Sequence, residues 1–177
     1  MPPTTRPPMP RRLKGMIGLT ITLLIALVLI NIPLTTPASP QGIVSLQLAA
    51  NAEQSQTIID SWDSLFWPQV SLILDIPFAL VYALTLVAVT RYLLSYRPGV
   101  RARQTGRLIQ TLFIVAGLAD WAENACLLNN LEQPTDTLSL MATGFAFIKF
   151  TGLLVGFAGL VVLRSAHRYS GSSASNE

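Results

Sequence analysis

Six polar side chains stand inside long apolar segments of the sequence, where they would be costly to leave against lipid. They are Asp75 and Tyr82 in one segment, Asp120, Glu123 and Asn124 in the next, and Lys149 in a third. The first two are seven residues apart and the next three stand at i, i+3 and i+4, so each set shares a helix face. Carboxyls in apolar surroundings suit proton exchange or general acid–base chemistry, and a set of carboxylates also suits a hard cation.

The acids in this set outnumber the bases. Three carboxylates and one ammonium sum to a formal charge of −2, and one charge at the membrane centre costs about 2.5–3.5 kcal/mol on insertion scales. We therefore expect that a carboxyl is protonated, that the set binds a cation or a small polar ligand, or that it opens to water on the outer side. The alternative is that the six residues are interhelical contacts that only fix helix register.

Composition favours an integral membrane protein. Half of the 177 residues (51%) are hydrophobic and only 12% are charged, which argues against a disordered chain and a water-soluble globule. The apolar residues form four spans, at about residues 16–32, 69–91, 108–129 and 138–163. Roughly 20 helical residues cross a bilayer. A single segment in lipid must be helical, because only a helix satisfies its backbone N–H and C=O groups without water. The sequence therefore predicts an all-α fold, a four-helix transmembrane bundle.

The first span has a second interpretation. Arg11, Arg12 and Lys14 before a short apolar core resemble a signal peptide, but the Pro/Thr-rich stretch at residues 33–40 offers no clean cleavage site. We favour a retained helix, and the sequence does not exclude removal.

Positive charge predicts the orientation. Lys and Arg precede span one, lie between spans two and three and follow span four. The loops after spans one and three have no Lys or Arg, and their charged residues are acids such as Glu53 and Asp136. Basic loops mark the cytoplasmic side, so we expect a multi-pass cell-membrane protein with both termini cytoplasmic. The basic groups then lie at lipid headgroups, which accounts for the pI of about 9.4 without a nucleic-acid partner.

The predicted organisation is a disordered cytoplasmic tail (1–15), a transmembrane domain (16–168) and a second disordered tail (169–177). Within the outer loop (33–68), the alternation in Gly42–Leu48 predicts an extended segment, and Asn51–Phe66 predicts an amphipathic helix capped by Asn51. Trp62 and Trp67 suit the membrane interface. The loop is then either a simple linker or a lid over a site.

Spans two and four contain further signals. Pro77 interrupts helical hydrogen bonding close to Asp75, unless span two begins later than predicted. In span four, Ala142, Ala146, Gly152 and Gly156 share the face of Lys149, and small residues allow close helix packing. Because Lys149 is on that face, we expect packing inside the bundle and not dimerisation.

Common cofactor signals are missing. The only histidine is His167 and the only cysteine is Cys126, which argues against the usual zinc and haem sites, and no phosphate-binding or nucleophile motif is present. We predict no cofactor and no metal site of these types, and we interpret Cys126 as a small apolar residue.

The motifs GIVSLQLA (42–49), LDIPFALVY (74–82) and ADWAEN (119–124), followed by Lys149, resemble a family of small bacterial membrane proteins with four predicted spans. The resemblance covers about residues 40–165 and implies a shared fold and polar cluster, but no particular activity. That family often has an acid at the position of Gln47 and another residue at that of Pro77.

Three functions follow from these features. The first is uptake of a proton, cation or small polar ligand by the polar set. The second is an enzyme acting on a membrane lipid or isoprenoid, with Asp120 or Glu123 as the acid–base group and Lys149 holding an anionic headgroup. The third is an accessory subunit that docks a membrane protein partner through its polar and glycine faces. The sequence does not choose among them, and it does not predict the oligomeric state.

Overall fold

The computed structural model describes residues 8–95 and 99–169, with side chains up to Arg164. These residues form helices and turns, without a strand. The helices are α1 (Arg11–Asn31), α2 (Ile43–Gln47), α3 (Ala52–Asp60), α4 (Phe66–Leu94), α5 (Val100–Asn130) and α6 (Asp136–Tyr169), and a 3-10 turn, Ile32–Leu34, follows α1.

Four of the described helices, α1, α4, α5 and α6, are long and apolar enough to cross a membrane. This confirms the predicted all-α four-helix bundle. Each of these helices begins before its predicted span, and α4, α5 and α6 also end after it. The bundle therefore has a basic end, where α1 and α5 begin and α4 ends, and an acidic end, where α5 turns into α6.

Some predictions fall outside the described residues. They concern residues 1–7 of the first tail, residues 170–177 of the second, the turn at Pro98 and the side chain of His167. In the described part of the first tail, the helix already begins at Arg11, five residues before the predicted span.

The bundle is built around α5, which packs against α4 on one side and α6 on the other, while α1 packs against α4 at the edge. Half of the most apolar stretch of α5 is buried, compared with 6% for α1. Thr20 of α1 and Thr85 of α4 join their hydroxyls at 2.9 Å. The peripheral position explains why α1 is apolar on every side, since most of its surface is left for lipid.

Glycines of α6 face α5, as the sequence predicts. A Cβ on Gly152 would stand 3.2 Å from both Ala116 Cβ and the Leu112 carbonyl oxygen, and a Cβ on Gly156 would overlap the Phe113 ring. Ala142 and Ala146, on the same face, are fully buried. Small residues thus let α5 and α6 approach closely inside one chain.

Residues 35–65 fold over the acidic end and are called here the α2–α3 cap. The predicted extended segment is wrong, because residues 43–47 form the short helix α2. Its first N–H, from Ile43, donates to Asn31 Oδ1 at 2.8 Å. A helix also places Ile43 and Leu46 on one buried face. The hydrogen bond from Ile43 to Asn31, a residue distant in sequence, therefore outweighs the local alternation of apolar and polar residues.

The predicted helix after α2 is present but shorter. Asn51 caps α3 by accepting from the Gln54 N–H at 2.8 Å, and the helix ends at Asp60 and not at Phe66. The interfacial position of Trp62 stays a prediction, and its side chain is buried within the protein. It is 7% exposed, and its Nε1–H donates to the Leu34 carbonyl at 2.8 Å, so burial under the cap satisfies both the ring and its N–H.

Gly42 holds the turn that leads into α2. Its φ of 61° and ψ of −130° are accessible to glycine and strained for other residues. A Cβ there would also overlap the Asn31 side chain. We expect Gly42→Ala to lower the free energy of unfolding by at least about 1 kcal/mol, measured by thermal unfolding in detergent. Gly18→Ala is the control, because a Cβ at Gly18 meets nothing within 4 Å, and an equal loss in both variants would contradict this.

Candidate functional site

The polar residues singled out in the sequence converge between α4, α5 and α6. We call Asp75, Tyr82, Asp120, Glu123, Asn124 and Lys149 the acid cluster. At 1.5 Å per residue, Asp75 lies about 14 Å from the start of α4, Glu123 about 10 Å from the end of α5 and Lys149 about 20 Å from the start of α6. Lys149 therefore lies deeper from the acidic end than the two acids. Its long side chain spans this difference, because helical side chains lean toward the N-terminus of their helix, which for α6 is the acidic end.

Lys149 holds two carboxylates at once. Its Nζ lies 2.7 Å from Glu123 Oε2 and 3.1 Å from Asp120 Oδ1. The side chains of these three residues are at most 6% exposed. The i, i+3 spacing on α5 turns both acids toward α6, so that one ammonium contacts both of them.

Asn124 links the third acid to this pair. Its Nδ2 donates to Asp75 Oδ2 at 3.0 Å and makes a longer bond of 3.5 Å to Asp120 Oδ1. The carboxyls of Asp75 and Asp120 therefore share one amide group and lie close together. Asp75 is half-buried and is the most exposed member of the acid cluster.

Several buried atoms of the cluster have unused hydrogen-bonding capacity. Within the described residues, Glu123 Oε1, Asn124 Oδ1 and the Tyr82 hydroxyl have no hydrogen-bond partner. The charged groups around Tyr82 are Asp120, Asp75 and Glu123. A buried acceptor without a donor is costly, so a proton donor entering the cluster would be stabilised at these atoms.

The α2–α3 cap packs on the acidic end of the helices that hold the cluster. Trp62, Leu46 and Ile58 of the cap pack with Leu72 and Leu127 in one apolar core. Leu72 is three residues before Asp75 and Leu127 is four residues after Glu123, so this core lies about one helical turn from the acid cluster. The structure therefore does not show the predicted opening to the outer side. The loop thus lies next to the acid cluster, and its two interpretations, as a linker and as a lid over a site, both stay predictions.

Pro77 lies inside α4, since that helix begins at Phe66. Its ring removes the N–H that would pair with the Ile73 carbonyl, two residues before Asp75. A neighbouring carbonyl, that of Ile76, accepts the Trp121 Nε1–H of α5 at 2.8 Å. This bond joins the interrupted turn of α4 to α5 beside the acid cluster.

A second polar network, which the sequence analysis missed, fastens the cap to the bundle. Asn130 at the end of α5 donates to Ser139 Oγ at 3.0 Å and to Ser55 Oγ at 3.3 Å. Asp136 Oδ1 accepts the Ala52 N–H at the start of α3 at 2.8 Å. Serine and asparagine are common at helix ends, where they cap the helix. The sequence therefore did not distinguish these residues from ordinary helix-capping residues, and only the fold shows their contacts.

Gln47, at the end of α2 in the cap, and Cys126, in α5 beneath it, are also buried. Gln47 is 4% exposed, and the sequence analysis assigned it no role. Cys126 lies in the apolar core under the cap, in agreement with its interpretation as a small apolar residue.

Comparison of the chain with protein-family models, with curated proteins and with solved structures finds no match. The resemblance to a four-span family stays a prediction, and the function is argued from the geometry of the acid cluster.

Proposed function

We propose that this integral membrane protein reversibly binds a proton at the acid cluster, and that Asp75, Asp120 and Glu123 exchange it. The observation that supports the proposal is the gathering of three buried or half-buried carboxyls around a single ammonium: Lys149 contacts Asp120 and Glu123, and Asn124 links Asp75 to Asp120. Tyr82 and Asn124 complete the polar surroundings of these groups.

The charge of the cluster supports this proposal. Lys149 balances one of the two carboxylates that it contacts, and Asp75 has the amide of Asn124 as its partner. With all three acids ionised, the cluster would hold two uncompensated negative charges at a depth where each is expensive. Taking up a proton removes such a charge without requiring more space, and releasing it restores the charge.

The shape of the cluster favours a proton over a larger species. Asp120, Glu123 and Asn124 are at most 2% exposed. Within residues 8–95 and 99–169, no group of three or more His, Cys, Asp or Glu side chains is arranged to hold a metal ion. A proton also uses the free acceptors described above, because a protonated carboxyl donates a hydrogen bond.

We also propose that the basic end faces the cytoplasm, so that both termini are cytoplasmic and the α2–α3 cap is outside. The described cations other than Lys149 gather at the basic end, whereas Glu53, Asp60, Asp63, Glu132 and Asp136 stand at the acidic end. This is the charge distribution of the positive-inside rule. In this orientation, the cluster lies nearer the outer surface.

The proposal predicts a carboxyl that is protonated and titrates inside the membrane. In infrared pH-difference spectra of the reconstituted protein, we expect a protonated-carboxyl band that is lost as the pH rises. At least one of Asp75→Asn, Asp120→Asn and Glu123→Gln should remove or shift this band. Glu53→Gln, at an exposed acid of α3, is the matched control and should leave it unchanged.

A spectrum without a protonated carboxyl at neutral pH would overturn the proposal. A band that persists in all three cluster variants would overturn it as well. Size-exclusion profiles and helical circular dichroism of each variant separate a lost proton site from a lost fold.

A further inference from the structure

A groove of about 420 Å³ runs along the outside of the bundle, and none of the acid-cluster residues lines it. It lies in the valley where α1, α4 and α5 meet, and its lining includes Met16, Ala79, Ala88, Arg91, Ile114 and Trp121. Ligand sites of this general size hold small molecules of about 300–1,000 Å³. The wall is apolar except at Arg91, so one end of the groove differs in chemistry from the rest.

Small side chains create the groove. Gly117 of α5 faces α4, where a Cβ would stand 2.9 Å from Ala83 Cβ and 3.5 Å from the Ala79 carbonyl oxygen. Beside this contact, the short side chains of Ala79, Ala83 and Ala88 leave a depression in the surface of α4. Met16 of α1 closes the other side, and the result is a narrow channel parallel to the helices.

The length of the groove matches one leaflet of a bilayer. On α4 it extends from Ala79 to Arg91, which is about 18 Å at 1.5 Å per residue. A hydrocarbon core of about 30 Å has leaflets of about 15 Å. The groove therefore reaches from the bilayer midplane to the headgroup level at the basic end.

Arg91 stands at that headgroup level. Its side chain is exposed and lines the groove, and its Nε donates to Gln110 Oε1 at 3.4 Å. Lys14 precedes Met16 by two residues at the same end. A guanidinium group binds two phosphate oxygens at once through two N–H donors and is always positively charged, so it recognises phosphate better than a neutral amide or hydroxyl side chain does.

We propose that this groove is a binding site for an anionic phospholipid, with one acyl chain along α4 and α5 and the phosphate at Arg91. The apolar wall takes the chain, and the positive end selects negatively charged headgroups over zwitterionic ones. The site is distinct from the acid cluster, since none of the cluster residues lines it.

Trp121 lines the groove and reports on its occupant. The protein is reconstituted in phosphatidylcholine vesicles containing a rising fraction of chain-brominated phosphatidylglycerol or chain-brominated phosphatidylcholine. The same measurement on Trp121→Phe gives the quenching of the other tryptophans, and the difference between the two proteins is the quenching of Trp121. We expect half-quenching at an approximately fivefold lower fraction of the anionic lipid, as one basic contact at the membrane surface predicts.

Variants identify the two parts of the site. Arg91→Gln should remove the preference for the anionic lipid, whereas Arg101→Gln, which loses the same charge at the same end of the bundle, should keep it. Ala88→Phe fills the groove and should weaken quenching by both lipids. Leu154→Phe adds bulk on the exposed face of α6 and should not.

Equal quenching by the two brominated lipids would overturn the proposal, because the groove would then hold bulk lipid without selection. An equal effect of Arg91→Gln and Arg101→Gln would also overturn it, since general surface charge would explain the preference. Neither outcome bears on the infrared test of the acid cluster, so the two proposals fail separately.

Discussion

Lys149→Met is expected to destabilise the protein by about 3–5 kcal/mol, the cost of leaving one side of a buried ion pair uncompensated. Glu123 and Asp120 both contact the Lys149 ammonium and are almost fully buried. Without it, these acids stay close together in apolar surroundings. The loss should be larger at high pH than at low pH, because protonation removes the charges that lack a partner. Reversible unfolding in mixed micelles, followed by circular dichroism at several pH values, measures it.

Two further variants show whether charge is the cause. Lys14→Met removes an exposed lysine from the basic end and is expected to change stability by less than about 0.5 kcal/mol. Combining Lys149→Met with Asp120→Asn and Glu123→Gln should recover most of the lost stability, since neutral amides of similar shape replace the acids. If the triple variant is as unstable as Lys149→Met alone, lost packing of the lysine stem and not charge is responsible.

Gly156→Leu is expected to separate α5 from α6 and to cost about 3 kcal/mol, at the upper end of the usual cost of overpacking. Even a Cβ at this position overlaps the ring of Phe113, which is fully buried. The added side chain has no empty space to fill, because the two helices are in contact along this face. Unfolding in mixed micelles measures the effect.

Gly144→Leu is the matched control for this prediction. It places the same substitution on the same helix, where a Cβ meets nothing within 4 Å, and a leucine there faces lipid. We expect Gly144→Leu to be neutral or slightly stabilising, because leucine favours the helix more than glycine does. Equal losses in Gly156→Leu and Gly144→Leu would show that the glycine face of α6 does not depend on close packing.

The acid cluster and the cap have different implications for how the protein works. The cluster lies at the junction of three spanning helices, so any change in its charge acts on the contacts of Asp75, Asp120 and Lys149 between them. The cap covers it through an apolar core and the hydrogen bonds of Asn130 and Asp136. If the cluster exchanges a proton with the outer side, as we propose, either the cap moves away or Asp75, the half-buried acid, is the point of entry.

The sequence by itself determined the number and type of the spanning helices, because lipid imposes about 20 apolar residues and a helical backbone on each crossing. It also predicted the meeting of Asp75, Asp120, Asn124 and Lys149. Charged side chains in a membrane must face one another, and helical spacing shows which of them share a face. The cap of α3 at Asn51 followed from local hydrogen bonding in the same way.

Only the tertiary structure decided the shape of the residues over the cluster. Residues 43–47 alternate like a strand and yet form a helix, because Asn31, twelve residues away from Ile43, supplies the hydrogen bond at its start. Trp62 is buried within the protein, where its N–H donates to the Leu34 carbonyl. The position of the cap on the acidic end depends on these contacts between distant residues. Local spacing does not encode such contacts, since they exist only after the helices have packed.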